Sequence, residues 1–424
     1  MNNIDEQIIK IIDFWQKSVK HGTLLEREII NDINIGGKEI IDLVGPRRSG
    51  KSSILKLLIR KLETDKFLYI NFEDPFFIAN NDQEIIEKIL EVYGSYYGKD
   101  LKYLFFDEVQ EIKNWEKVVR KLRDAENYKI YITGSSSRLL SREISSLITG
   151  RHISYQIFPL SFREFLSFNK IDISNKKDII LKKAEIYKNF NAYMKIGGFP
   201  EPVLTKNQEL LKNYFYDILE KDIVRRYDIR EKNVLEKLAL YLISNSGKIS
   251  SMESLKKTFS VSFLPISSYL NYLKESLLIF ELPQFSYSIK KQEKAFKKFY
   301  SADTGLSNAV SFQFSEDKGR ILENIVFHEL NRKNNKIYYY RTKNNSEVDF
   351  LVNEKTKHQA LIQVSWSLAD EATKKRETKA LIEALDELNL KKGLIITASE
   401  KETINLNNKI VEVLPAYEWL LMDR

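Results

Sequence analysis

Gly45-Pro46-Arg47-Arg48-Ser49-Gly50-Lys51-Ser52 is the stretch that decides how the rest of this chain is read. It fits the pattern G-x-x-x-x-G-K-[ST]. In such a loop, glycines let successive backbone N–H groups curl inward around phosphates, the lysine reaches the β- and γ-phosphates of a nucleoside triphosphate, and the hydroxyl after it holds Mg²⁺. The candidate binding segment runs from Gly45 through Ser53, with Lys51 as the phosphate-gripping cation and Ser52 as a metal ligand. A strand-like apolar run, residues 39–44, precedes it, and a helix-like run, residues 53–62, follows. That order aims a helix N-terminus at the anion. A bare glycine turn is a poor rival reading in a chain with only 15 glycines.

A phosphate loop binds nucleotide; hydrolysis also needs an acid for the metal and a group that orients water. Residues 101–110, LKYLFFDEVQ, are a continuous apolar run ending in Asp107-Glu108. Such a run suits a strand buried on both faces of a parallel sheet, with its C-terminal end at the ligand edge. Asp107 would hold the metal through water and Glu108 would polarise the attacking water. The bland alternative is a buried strand followed by a solvated acidic turn. Residues 67–72 read as a further strand, delivering Glu73-Asp74 to the same sheet edge; these acids could join the metal shell, but a turn into Pro75 is the favoured reading. Residues 128–135 read as another, ending in Thr133 and Ser135. The alternation of strand and helix from 39 to 135 argues for an open parallel α/β sheet.

Composition is that of a globular protein: 424 residues, 43% hydrophobic and 30% charged. The length allows roughly two to four domains. No apolar run is long enough to cross a bilayer, and Asp5, Glu6, Lys10 and Asp13 interrupt any secretion-signal core. Zero cysteines exclude disulfides and thiolate chemistry and point to the cytoplasm. Four scattered histidines argue against a histidine metal site. The net charge of +8, from 67 basic and 59 acidic residues, permits nucleic-acid contact without requiring it.

Taken in order, GPRRSGKSS, FFDEVQEIKNWEKVVRKL, ITGSSSRLL, ITGRHISYQIFPLSFREFL (148–166), IGGFPEPV (196–203), KDIVRRYDIR (221–230) and SADTGL (301–306) resemble the prokaryotic AAA+-type P-loop ATPases that carry a helical lid, a winged helix and a nuclease-like C-terminal domain. The resemblance spans nearly the whole chain, and the Pro-Leu-Ser-Phe-Arg-Glu-Phe and Gly-Gly-Phe-Pro-Glu segments are its narrower signals. It implies an α/β fold: a P-loop ATPase domain at 1–165, a helical lid at 166–230, a winged-helix domain at 231–310 and a restriction-endonuclease-like α/β domain at 311–424. It also implies a polar γ-phosphate sensor, for which Thr133 and Ser135 are candidates, and an arginine near the terminal phosphate, for which Arg142 and Arg151 are candidates. An arginine acting on a neighbouring subunit would require a homo-oligomer.

Helical periodicity dominates residues 166–230, and Gly197-Gly198 followed by Phe199-Pro200 reads as a helix stop and turn. The basic patch Lys221 to Arg226 reads as a solvated helix face. Three helices are expected at 234–246, 251–259 and 265–278, then two strands at 279–282 and 296–300 flanking a basic hairpin, a winged helix-turn-helix. The third helix offers one cation, Lys274. The hairpin offers five, Lys290, Lys291, Lys294, Lys297 and Lys298, interleaved with Phe296 and Phe299, which makes double-stranded DNA a candidate partner.

Residues 315–424 read as helix, three strands, helix, strand, an order that resembles PD-(D/E)xK nucleases. Such a site needs an acid on the first helix, an aspartate on one strand and (E/Q)-x-K on the next; the acids hold a divalent metal. Glu323, Asp349 and Gln363 match three places, but Ser365 stands in the lysine position. A hydroxyl supplies no fixed positive charge, which argues for a retained fold used in docking; Lys374 or Lys375 would be the substitutes. The expected function is therefore a Mg²⁺-dependent ATPase that couples ATP turnover to conformational change on or near DNA. A nucleotide-gated DNA-binding switch with little turnover, and a metal-dependent nuclease, are the other two readings.

Overall fold

Five short strands build the first sheet of the protein, a computed structural model of which describes residues 3–98, 100–135, 152–311, 317–333, 336–353 and 359–422. They are β1 (Ile40–Val44), β2 (Phe67–Asn71), β3 (Tyr103–Asp107), β4 (Lys129–Gly134) and β5 (His152–Gln156), in the order β2-β3-β4-β1-β5. Every pairing is parallel, with Asn71 opposite Asp107 and Leu43 opposite Thr133. Parallel register brings the C-terminal ends of β1, β3 and β4 to one edge, where the loop after β1 also lies. Side chains of Ile41, Leu43, Tyr69, Phe105 and Tyr131 pack with Ile54, Leu55, Leu58 and Ile59 of the helix Lys51–Lys61. The Phe105 and Tyr131 rings stack at 4.6 Å across neighbouring strands. The open parallel α/β sheet expected from the sequence is present. The helix Asn3–Lys20 and the strand β5 were not anticipated.

The chain divides into two compact units, Met1–Phe158 and Pro159–Arg424. The second begins with helix Phe162–Phe168, which Ser161 and Glu164 cap reciprocally. Helix Lys183–Ile196 stops at Gly197, whose φ of +77° suits glycine. Three helices, Lys232–Ser244, Met252–Phe259 and Phe263–Glu275, then accompany a small antiparallel sheet of β6 (Ile249–Ser250), β7 (Ile279–Pro283) and β8 (Lys297–Ser301), ordered β6-β8-β7. The expected basic hairpin is instead a helical turn, Ile289–Lys294, with the Ser288 side chain accepting from the Lys291 N–H.

The second large sheet follows helix Lys318–Arg332. It holds β9 (Lys336–Arg341), β10 (Glu347–Asn353), β11 (Gln359–Val364), β12 (Lys392–Thr397), β13 (Glu402–Leu406) and β14 (Lys409–Pro415), ordered β13-β14-β12-β11-β10-β9. Helix Glu371–Glu387 connects β11 to its parallel neighbour β12. One core joins Leu160, Phe162, Phe165, Phe190 and Val203 to Leu322, Val326, Phe350, Trp419 and Leu421. Helices early in this unit therefore share their interior with its last helix, Ala416–Leu421. No helix among the described residues is long and apolar enough to cross a membrane.

Candidate functional site

The glycine-rich loop leaves β1 tightly. A Cβ on Gly45 would lie 2.3 Å from the Ile157 carbonyl oxygen and 2.8 Å from Ser49 Oγ, so only glycine fits there. Gly50 turns the chain at φ +99° into helix Lys51–Lys61. The first turn of that helix presents N–H groups with no intrahelical acceptor, where the helix dipole favours an anion. Ser49 Oγ is buried and finds no hydrogen-bond partner among the described residues. Arg27, which sequence reading missed, is buried beneath the loop and donates to the carbonyls of Ser49 (3.0 Å) and Phe158 (2.8 Å). Arg47 reaches Glu73 at 2.5 Å, and Asp74 caps the helix Pro75–Ala79 as the turn reading anticipated.

Lys51 is 3% exposed. Its ammonium donates to the carbonyls of Gly45 (3.1 Å) and Pro46 (3.2 Å) and lies 3.5 Å from Glu108 Oε1. Glu108 comes to it through a left-handed backbone, φ +51°. In an uninterrupted strand, Asp107 and Glu108 would face opposite sides of the sheet; the positive φ ends the alternation. Gln110 Nε2 donates to the second Glu108 oxygen at 2.6 Å. Burial alone would raise the Glu108 pKa, but the Lys51 charge, the Gln110 hydrogen bond and Arg47 outweigh it and hold the carboxyl below its ordinary value.

Asp107 is fully buried at the end of β3. It accepts from Tyr69 (2.9 Å), Asn71 (3.3 Å) and Thr133 (2.5 Å), and the Ser52 hydroxyl lies near enough to lower its pKa. Burial, then the neighbouring Glu108 charge, raise its pKa against those hydrogen bonds. Ser52 and Asp107, the two groups that would hold a magnesium, thus lie close together. An inward-facing lysine, free N–H groups, an orphaned hydroxyl and this hydroxyl–carboxylate pair form a donor set that fits a magnesium-bound triphosphate.

Thr133, a candidate sensor, lies at the end of β4 beside the acidic pair. Its hydroxyl donates to Asp107 and accepts from the Glu108 N–H at 2.9 Å, so it fastens the acidic pair. Ser135 is buried just beyond β4. Arg142 and Arg151 lie outside the described residues.

The second unit brings Glu323, Asp349 and Gln363 together. Gln363 Oε1 accepts from the Asp349 N–H (3.2 Å), and Asp349 Oδ2 accepts from the Val364 N–H (2.9 Å). Lys298, expected as an exposed DNA-facing cation, is instead 1% exposed and bonded to Glu323 and Asp349. Alternation along β8 turns Lys298 and Tyr300 to one face, and both reach Glu323. Glu347 and Glu377, also missed, join the cluster through Lys298 and Gln363. Ser365 donates to the Ser367 carbonyl, and Lys374 pairs with Glu402 rather than replacing the absent lysine. Of the five hairpin lysines, Lys290, Lys291 and Lys294 are exposed, while Lys297 donates to the Gln292 carbonyl. Lys221 of the basic patch pairs with Asp217.

Residues 37–166 match the AAA domain family, and residues 187–317 and 318–419 match two domains of unknown function, DUF8612 and DUF4143. The uncharacterized protein MJ1544 of Methanocaldococcus jannaschii is 37% identical over 99% of both chains. An uncharacterized protein of Haemophilus influenzae is 29% identical over 89% of this chain and 93% of its own. Among solved structures, Aeropyrum pernix ORC1 in complex with DNA aligns at 11% identity and a TM-score of 0.31, over 75% of this chain and 93% of that one. AMPPCP-bound DnaA from Aquifex aeolicus aligns at 15% identity and a TM-score of 0.24, over 62% of this chain and 88% of that one. Likeness at those TM-scores carries no inference. The full-length match with MJ1544 does: the protein belongs to the family of that Methanocaldococcus jannaschii protein, and its residues 37–166 are an AAA domain.

Proposed function

We propose that the protein is a Mg²⁺-dependent ATPase whose nucleotide state changes its conformation. The observation that carries this reading is the meeting of Lys51, Ser52, Asp107 and Glu108 at the C-terminal edge of the parallel sheet. Gly45 to Ser53 would cradle the phosphates of ATP, with Lys51 exchanging the Gly45 and Pro46 carbonyls for phosphate oxygens. Ser52 and Asp107 would hold the Mg²⁺, which neutralises charge on the transferring phosphoryl group when bound. Glu108, kept ionised by Lys51 and Gln110, would accept the proton of the attacking water. Thr133 would keep both acids in place, and Ser135 would be a polar group available to sense the γ-phosphate. Arg142 or Arg151 would stabilise the terminal phosphate, from the same chain or from a second copy.

The test is ATP hydrolysis by the wild type, Lys51→Ala and Glu108→Gln. Lys51→Ala is expected to lose nucleotide binding. Glu108→Gln is expected to bind ATP and release phosphate at least about a hundredfold more slowly, the size of effect typical of a lost general base. Equal phosphate release by all three proteins would refute the reading.

A second reading concerns DNA. Residues 231–310 have the helix and strand order of a winged helix. The segment carrying Lys290, Lys291 and Lys294 also exposes Tyr287, Ile289 and Phe296, a combination suited to phosphates and sugar or base faces. The helix Phe263–Glu275 would not grip phosphates, because its one cation, Lys274, is paired with Glu281 and its N-terminus exposes Phe263 and Leu264. Contact would thus be made through the lysine-bearing turn.

A further inference from the structure

The metal that a PD-(D/E)xK arrangement requires does not fit the residues found here. Three carboxylates converge in the second unit: Glu323 from helix Lys318–Arg332, and Glu347 and Asp349 from β10. At their centre is the Lys298 ammonium, with Nζ 2.6 Å from Glu347, 2.9 Å from Glu323 and 3.0 Å from Asp349. The ammonium donates to Glu323 and Asp349 and forms an ion pair with Glu347. Those separations are ammonium–carboxylate distances, while a divalent ion such as Mg²⁺ would need its oxygens at about 2.1 Å.

The surroundings close the centre further. Tyr300 donates to Glu323 at 2.7 Å, the Tyr339 ring lies 5.9 Å from Nζ, and a Cβ on Gly247 would come 2.9 Å from Glu323. Lys298 is 1% exposed. It therefore does not replace the lysine missing at Ser365, since such a lysine must offer a proton to water or phosphate, and this one is buried with its charge paired to three carboxylates. Among the described residues, no group of three or more His, Asp or Glu side chains is poised to hold a metal.

We propose that Lys298 is a tethered cation standing where a divalent metal would otherwise sit, so that this cluster is a metal-free lock joining β8 to β10 and helix Lys318–Arg332. Withdrawing the ammonium would turn the cluster into a divalent-cation site built on Asp349 and Glu323. The lock also excludes metal-dependent phosphodiester cleavage by this segment. The inference does not depend on the ATPase reading, because its test measures neither nucleotide nor turnover.

The probe is Mn²⁺, followed by electron paramagnetic resonance and by thermal unfolding in the absence of nucleotide. Wild type is expected to take up no Mn²⁺ whose binding depends on Asp349, and to melt at the same temperature in EDTA and in Mn²⁺. Lys298→Ala is expected to gain one Mn²⁺ at least tenfold more tightly than any wild-type site, to melt higher with Mn²⁺ than in EDTA, and to lose both effects when Asp349→Asn is added. Should Lys298→Ala fail to fold, Lys298→Ala with Glu347→Gln removes one charge of each sign and keeps Asp349 and Glu323; the same gain is expected of it. Asp349-dependent Mn²⁺ binding by wild type, or no Mn²⁺ uptake by either Lys298 variant, would overturn the proposal.

Discussion

The Asp303 carboxylate accepts the Gly198 N–H at 2.7 Å and, with its other oxygen, the Leu306 N–H at 3.1 Å, so it holds the Gly-Gly turn while capping the helix Thr304–Val310. The two backbones touch: a Cβ on Gly305 would fall 1.8 Å from the Ile196 carbonyl oxygen, and one on Gly197 would fall 1.9 Å from Asp303. The IGGFPEP and SADTGL segments thus meet in one junction whose glycines are sites of closest approach.

Gly305→Ala is expected to destabilise the second unit by more than about 2 kcal/mol, because the methyl meets backbone and no flexible side chain can yield. Urea unfolding followed by circular dichroism measures this. A change below about 0.5 kcal/mol would show that the junction tolerates separation.

Burial raises the Asp303 pKa to about 6, against three backbone N–H groups that lower it. The unfolded chain gives up this proton first as pH rises. The stability the group leaves intact below about pH 4 is therefore lost as pH climbs through about 6, by roughly 3 kcal/mol for a shift of about two units. Asp303→Asn should flatten that part of the stability profile; a wild-type profile indistinguishable from that of the variant would contradict the assignment.

His328 acts in the opposite direction. Buried, with Nε2 2.6 Å from the Ser301 carbonyl oxygen, it has its pKa pushed down to about 4. The unfolded chain takes up the proton first as pH falls, so stability drops between about pH 6.5 and 4, again by roughly 3 kcal/mol. His328→Gln is expected to lose this acid sensitivity while Asp303→Asn keeps it, and comparing urea midpoints at pH 7 and pH 4.5 separates the two.

Thr133→Val would leave the Asp107 oxygen and the Glu108 N–H without their shared hydroxyl, each buried. ATP affinity is expected to stay within about threefold of wild type while turnover falls by at least about tenfold, a change of about 1.4 kcal/mol in the barrier. Calorimetry paired with phosphate release checks both halves; a selective loss of affinity would place Thr133 on the nucleotide instead.

Changing Lys290, Lys291 and Lys294 to Gln should weaken duplex binding and lower the slope of log affinity against log salt by up to about 2.7, at about 0.9 for each phosphate no longer neutralised. Lys298→Gln belongs to a different experiment, since that side chain is inside the protein. Affinity that ignored both salt and the three substitutions would leave the turn with no role on DNA.

How much of this was legible beforehand depended on the kind of signal. Continuous apolar runs marked β1 to β4, and Asp107-Glu108 closed one of them at the ligand edge, because burial on both faces of a parallel strand leaves few alternatives. Strand β5 alternates polar and apolar residues, His152-Ile153-Ser154-Tyr155-Gln156, and is only partly buried, so it lacked that mark. The hairpin between β13 and β14 was missed despite a cue, the pair Asn407-Asn408: asparagine tolerates the positive φ that a two-residue type I′ turn needs at both positions, here +48° and +59°. Charge counting failed at Lys298. Whether a lysine faces water or three carboxylates is settled by residues 25 to 51 positions away, which no local pattern encodes.

The Arg163 guanidinium donates to the Leu421 carbonyl at 2.6 Å, across 258 positions of sequence. During synthesis, helix Phe162–Phe168 emerges long before helix Ala416–Leu421, on which its interior depends, whereas Met1–Phe158 already has every strand of its own sheet. At about 5–20 residues per second, the later unit leaves apolar surface uncovered for on the order of ten seconds or more while its partner helix is still being made. The earlier unit can fold as it is translated; the later one must wait, and that interval is where a chaperone has most to shield.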